Sequence, residues 1–304
     1  MKAHVVDMTG AKTRAIDLPM QFAEEIRPDL IQRAVLAQQS HNRQAFGTFP
    51  QAGTRTVAKL SRRRRQFKTA YGHGISRVPR KALWNRGRQF GWVGAFAPGT
   101  VKGRKGNPPK AERIWALDIN VKERRKAIRS ALAATVIPAL VQARGHKFKE
   151  LVPVVETKIE LLAKTKDVEA FLNKAGFQAE LERILERKIR AGRGKSRNRP
   201  YKIRKGPLFV VAGNCPLMHA ARNIPGVDVC VVRALNAEML APGCAPGRLT
   251  IFSEKALELL AKENLFLNIP KVKAVKTVEK KVVAPKVEKV VAKPIKPAVK
   301  KVKA

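Results

Sequence analysis

The chain opens on an alternation of apolar and polar positions. His4-Val5-Val6-Asp7-Met8 and then Ile16-Asp17-Leu18 predict two strands, and residues 1–10 read as a strand rather than a secretory signal. From Pro28 the period changes. Leu30, Ile31, Ala34, Val35 and Gln38 recur at helical spacing, with Pro28 where a first helical turn tolerates proline. From Ile114 onward, strand and helix patterns alternate. Ile114-Trp115-Ala116-Leu117 predicts a short strand, and Asn120 with Glu123 three residues on has the capping-box pattern of a helix start. Leu151-Val152-Pro153-Val154-Val155 predicts another strand. Two helices follow, from about Thr165 to Gly176 and from Gln178 through Glu182, Leu185 and Ile189 to near Gly192. Residues 208–212, 227–232 and 249–252 are apolar runs, interrupted only by Asp228 and Thr250. Strands of that kind are buried on both faces, which predicts an α/β fold with a mostly parallel sheet covered by helices. Ser253 is placed to cap a last helix through Leu257, Leu259 and Leu260.

Two stretches follow neither period. Residues 41–113 are rich in glycine and proline, and between Asp29 and Glu112 there is not one Asp or Glu. A loop of about 70 residues is rare enough in a compact domain to count as disorder or as function. Residues 269–304 are almost wholly Lys, Val, Ala, Pro and a few Glu, a composition that opposes a packed core and predicts a disordered tail. The expected organisation is therefore one α/β body (1–40 and 114–268), interrupted by an extended basic loop (41–113) and trailed by that tail.

Charge changes the picture most. The chain of 304 residues carries 63 Lys and Arg against 23 Asp and Glu, a formal net charge of +40. Self-repulsion of that size disfavours a compact state, so it points to a polyanionic partner, of which nucleic acid is the commonest. No basic amphipathic helix or lipidation motif favours a membrane surface, and the longest apolar run, near 131–141, contains Pro138 and is too short to span a bilayer. Three widely spaced cysteines, Cys215, Cys230 and Cys244, describe no disulfide scaffold and suit a reducing, cytoplasmic compartment.

The candidate phosphate contacts centre on Arg62, Arg63, Arg64 and Arg65. Around them stand Arg43, Arg55, Lys59, Lys68, Arg77, Arg80, Lys81, Arg86, Arg88, Arg104 and Lys105. Guanidinium groups match phosphate oxygens bidentately, and interleaved glycines let backbone lie close to a phosphate chain. Phe67, Tyr71, Trp84, Phe90 and Trp92 could stack on exposed bases or pack on the protein itself. A second patch holds Arg193, Lys195, Arg197 and Arg199, in GRGKSRNRPYKIRKGP. That segment lacks Walker spacing and follows a helix rather than a strand, so RNA contact is the better reading than nucleotide binding.

No catalytic constellation emerges. Cys215 and His219 lie four apart, but no C-x-x-C pair accompanies them, and Cys230 sits among valines as a buried small hydrophobe would. Glu169, Glu180, Glu182 and Glu186 fall at helical spacing among Lys and Arg and read as ion-pair faces. No nucleophile elbow, metalloprotease motif or dinucleotide fingerprint is present. We expect no cofactor, no metal and no small-molecule substrate.

Five segments carry a family resemblance. ERRKAIRSALAAT (123–135), LVPVVE (151–156) and GRGKSRNRPYKIRKGPLFVV (192–211) resemble the universal large-subunit ribosomal protein L-four. ARNIPGVDV (221–229) and LNAEMLAPGCAPGRLTIFSEKAL (235–257) resemble its archaeal–eukaryotic branch. The resemblance implies a monomeric α/β body on the large subunit and a long loop that penetrates ribosomal RNA beside the nascent-peptide exit tunnel, with neighbouring ribosomal proteins as further partners. Ser76-Arg77-Val78-Pro79-Arg80 resembles an element of that loop, whereas VAKLSRRRRQFKTAYGHG (57–74) departs from the family's pattern. The leading expectation is an RNA-binding structural component. The alternatives are an architectural DNA-binding protein and, resting on fold class alone, an RNA-modifying enzyme.

Overall fold

Leu208, Phe209, Val210 and Val211 are all buried, although successive side chains of a strand point to opposite faces. That requires cover on both sides of the sheet, and the computed structural model, which describes residues 1–66, 69–87 and 89–268, supplies it. In chain order the strands are β1 (Lys2–Val6), β2 (Lys12–Asp17), β3 (Arg80–Arg86), β4 (Gln89–Gly94), β5 (Val154–Val155), β6 (Lys188–Ile189), β7 (Tyr201–Lys202), β8 (Leu208–Val211), β9 (Asp228–Val231) and β10 (Thr250–Ser253). The α-helices are α1 (Pro28–His41), α2 (Val121–Thr135), α3 (Pro138–Ala143), α4 (Thr165–Lys174), α5 (Gln178–Leu185), α6 (Leu217–Arg222), α7 (Ala237–Leu240) and α8 (Glu254–Lys262).

Six strands form one sheet in the order β2-β1-β5-β10-β8-β9. All neighbours are parallel except β1 and β2, which form an antiparallel edge. On one face Leu208, Val210 and Phe252 meet α1, α2 and α8 through Ile31, Val35, Ala127, Leu132 and Leu257. On the other, Phe209, Val211 and Ile251 meet α4 and α6 through Phe171, Leu172, Leu217 and Ala221. Helix α2 is buried along its whole second half, Ala127 through Thr135, because α1, α7 and the turn at Met20–Ala23 all pack on it. The expected mostly parallel sheet covered by helices is therefore the observed one.

Ser253 caps α8 as expected, its Oγ accepting from the Ala256 amide at 3.2 Å. The same hydroxyl donates to Glu160 Oε1 at 2.6 Å, and that oxygen also accepts from the Ala212 amide at 2.9 Å. A carboxylate of the protein thus lies across the carboxyl ends of β8 and β10, where open α/β sheets commonly take their ligands. It also faces the positive end of α8.

Four expectations need correction. Residues 114–117 form no strand: Ile114 is 86% exposed, and the Leu117 amide donates to Ser40 Oγ at 2.8 Å rather than to a sheet. The Asn120 side chain makes no capping hydrogen bond, and Glu123 instead pairs with Arg33 at 3.0 Å. Helix α5 stops at Leu185, where the chain turns extended at Glu186 to pair β6 with β7. The basic segment is not without regular structure, since β3 and β4 pair within it. The disorder expected for 269–304 concerns residues outside those described, as do the roles expected of Phe67, Lys68 and Arg88. Among the described residues, no helix is long and apolar enough to cross a membrane.

Candidate nucleic-acid interface

Segment 41–113 leaves the end of α1 and returns beside it. Ser40 joins the two ends, its Oγ donating to the Ala37 carbonyl and accepting from the Leu117 amide. Phe46 stacks on Trp115 with ring centroids 4.5 Å apart. The Arg43 guanidinium lies 4.6 Å from the Trp115 ring centre, and that of Arg113 lies 5.1 Å from it. Cation–π contacts of this kind contribute about 0.5–1 kcal/mol each at exposed sites. Arg43, expected to bind phosphate, therefore also fastens the root of the segment. Sequence reading missed Trp115 in this role, because it placed Trp115 in a strand.

Beyond the root the two arms run side by side. The Thr48 amide donates to the Pro109 carbonyl at 2.9 Å, and within the returning arm the Arg104 amide donates to the Phe96 carbonyl at 3.1 Å. Glycine is required where the arms touch. A Cβ on Gly53, whose φ is +78°, would meet the Gly103 carbonyl carbon at 2.4 Å. Further out are two substructures, tied together by a backbone bridge between Lys59 and Arg80. In one, residues 61–66 form a knuckle: Ser61 bridges to Thr69, whose hydroxyl donates to the Arg63 carbonyl at 2.8 Å. The knuckle holds Arg62, Arg63, Arg64 and Arg65 exposed to solvent. Arg65 adopts φ +55°, a left-handed conformation that costs a side-chain-bearing residue roughly 1–2 kcal/mol. The other is the β3–β4 hairpin.

The aromatic side chains are largely engaged within the segment itself. Arg64 and Arg77 lie over the Tyr71 ring at 4.9 and 5.6 Å, and Arg64 also donates to the Tyr71 hydroxyl at 3.0 Å. Phe90 and Trp92 tilt against each other at 5.5 Å. Trp84 is 57% exposed, yet its indole lies so close over Gly91 that a Cβ there would meet Nε1 at 2.1 Å. Arg55 lies 4.6 Å from the Phe49 ring centre. Arg80 is turned inward, donating to the Ser76 and Val78 carbonyls at 2.6 and 3.2 Å. Lys59, Arg86, Arg104 and Lys105 are exposed, and Lys81 is half-buried.

The second patch is a ribbon. In β6–β7 Lys188 faces Lys202 and Ile189 faces Tyr201, so a lysine pair and an apolar pair occupy opposite faces. Arg190 braces the turn by donating to the Arg199 and Tyr201 carbonyls. Arg193, Lys195, Arg197 and Arg199 on that turn are exposed. Arg204 and Lys205, which belong to the same basic run, pair with Glu186 and Asp228 at 2.8 and 3.0 Å.

Cations outside these two segments repeatedly meet carboxylates: Arg129 bonds Glu24 at 2.7 Å, Arg183 grips Glu180 with two bonds, and Arg233 pairs with Glu263. Arg248, 1% exposed, donates to the Gly206 and Met239 carbonyls and to Asp228 Oδ2 at 2.6 Å. Burial opposes ionisation of Asp228, but Arg248 and Lys205 overcome it and hold its carboxyl below the usual range. Burial likewise opposes ionisation of Glu180, and the donors Arg183, His146 and the Lys147 amide overcome it. Among the described residues, no Arg or Lys of 41–113 or 188–202 has a carboxylate within ion-pair distance.

The groups weighed for metal or catalysis lie elsewhere. Cys230 is buried in β9, and burial pushes its thiol up to about 11, an inert state. Among the described residues, no group of His, Cys, Asp and Glu is arranged to hold a metal ion. Arg124, missed in the sequence reading, lines a groove of about 620 Å³ at the root of the basic segment beside His41 and Asn42.

Comparison with known proteins agrees with the segment-by-segment resemblance. Residues 16–263 match the ribosomal protein L4/L1 family. The chain is 50% identical over 267 residues to the large ribosomal subunit protein uL4 of Nanoarchaeum equitans, covering 88% of this chain and all of the relative. It is 47% identical over 262 residues to that of Archaeoglobus fulgidus (86% of this chain, 98% of the relative) and 43% identical over 265 residues to that of Halobacterium salinarum (86% and 99%). The chain belongs to the ribosomal protein L4/L1 family.

Proposed function

We propose that the protein is a structural constituent of the cytoplasmic large ribosomal subunit that binds ribosomal RNA through residues 41–113 and the 188–202 ribbon. The carrying observation is where the charge is left over. Many cations of the sheet-and-helix part meet carboxylates, though others such as Lys122, Arg222 and Lys255 do not, whereas among the described residues none of those in 41–113 or 188–202 does. Unpaired, solvent-facing guanidiniums on a braced backbone are preorganised for phosphate, and each contact releases condensed counterions. Keeping an arginine at the left-handed position of Arg65, where glycine would be less strained, supports the same reading. In this reading residues 1–40 and 114–268 are the body and 41–113 is the part inserted into folded RNA. We read that insertion as lying beside the nascent-peptide exit tunnel, with neighbouring ribosomal proteins as further partners, a reading that the family resemblance supports.

The contribution is architectural. It consists of bridging RNA segments and shaping the wall they form, with Glu160 occupying the sheet's usual ligand position. Sedimentation tests it: the tagged chain is expected in the large-subunit fraction after a moderate salt wash. Quantitative recovery on chromosomal DNA would contradict the proposal and favour an architectural DNA-binding role.

A further inference from the structure

One surface of this very basic molecule has the opposite character. Across residues 151–186 seven acidic side chains stand against five basic ones, although the chain as a whole carries +40. Helices α4 and α5 there frame a groove of about 290 Å³ with Ile224 and Pro225 at its side. Its floor is apolar. Ile184 is 2% exposed and Leu181 half-buried, and the same stripe continues to Leu185, which is 64% exposed. Its rim is acidic: Glu169 and Glu182 line it, both exposed and neither within ion-pair distance of a cation among the described residues. Lys166 and Lys174, the other charged side chains of α4 apart from Asp167, do not line it.

A phosphate chain does not fit this surface, since two carboxylates with no cation beside them among the described residues would repel it and an exposed leucine gains nothing from it. A protein segment does. Burying Leu185 removes apolar area from water at about 25 cal/mol per Å², and the two carboxylates select the sign of the partner's charge. We propose that the α4–α5 groove is a protein-docking site for a basic segment of a neighbouring large-subunit protein, one that inserts an aliphatic or aromatic side chain between Leu181 and Leu185 and sets Lys or Arg against Glu169 and Glu182. This rests on the ribosomal reading above. It assigns the molecule two chemically distinct faces, cationic projections for RNA and an acidic apolar groove for protein.

The test uses the full chain in assembled subunits, with the photoreactive residue benzoylphenylalanine in place of Leu185. Irradiation is expected to join position 185 to a peptide of another subunit protein, which sequencing shows to have an excess of Lys and Arg around an apolar residue. Adding E169K and E182K is expected to lower that yield about tenfold by like-charge repulsion. Cross-linking to RNA, or no cross-link from chains that co-sediment with the subunit, overturns the docking site while leaving the ribosomal reading intact. An unchanged yield in the double lysine variant overturns the charge complementarity on which the partner's class rests. A chain that fails to co-sediment even with Leu185 intact overturns the ribosomal reading, and the inference with it.

Discussion

Gly53 packs directly on the peptide that joins Gly103 to Arg104, so close that a Cβ would meet the backbone of Gly103 and Arg104 at 2.4 and 2.5 Å. Through contacts of this kind a segment with little aliphatic content holds its shape. Its order comes from backbone pairing and glycine contacts rather than from a buried core. Gly53→Val is therefore expected to part the arms, both through this overlap and through its φ of +78°. Limited trypsin digestion should cut faster between 41 and 113, while the thermal midpoint of the remainder stays within about 2 °C. A cooperative loss of the whole fold would show that the arms are part of the core.

Arg248 anchors the opposite end of the hierarchy. Its buried guanidinium satisfies two carbonyls and Asp228 at once. Arg248→Met keeps much of the volume but strands those acceptors, and it is expected to lower the free energy of unfolding by about 3–5 kcal/mol in denaturant titration. A loss below 1 kcal/mol would mean that water reaches the site.

Ser253 serves two partners. Ser253→Ala removes the α8 cap and one of the two donors to Glu160, and should cost about 2 kcal/mol. The double variant with Glu160→Gln separates the two losses: strict additivity there would show that the hydroxyl and carboxylate act independently.

Acid should destabilise the fold in a defined order. Burial lowers the His146 imidazole below its ordinary value, so its contribution is complete above about pH 6.5 and is lost as pH falls below that. Glu180 and Asp228 are also held low, so theirs persists to about pH 4 and is lost further down. The denaturation midpoint is therefore expected to fall from pH 7 to pH 5 and again below pH 4. Glu180→Gln should flatten the lower step. A midpoint constant from pH 7 to pH 3 would contradict the assignment.

The parts legible in the sequence were those set by burial. The runs around Val210, Val229 and Ile251 are apolar at nearly every position because helices cover both faces, and that alone implied the parallel sheet. Ser253 was legible because a cap is a local device. Residues 114–117 have a strand's composition but lie on the surface, where Trp115 serves Arg43 and Phe46 instead of a sheet. Glu123 was drawn from its capping box by Arg33, which is remote in sequence. The pairing of the basic arms left no hydrophobic period to read. Which cations keep free guanidiniums and which, like Arg80 and Arg204, are used by the protein itself depends on carbonyl and carboxylate positions that only the fold sets.

The most direct test of the account is the salt dependence of ribosomal RNA binding by the intact chain and by a variant with residues 62–65 all changed to Gln. Each lost phosphate contact removes roughly 0.7–0.9 from the slope of log affinity against log salt, so the variant's slope should be shallower by about 3 at an unchanged unfolding midpoint. An identical slope would show that the knuckle does not meet phosphate, and would contradict the account at its centre.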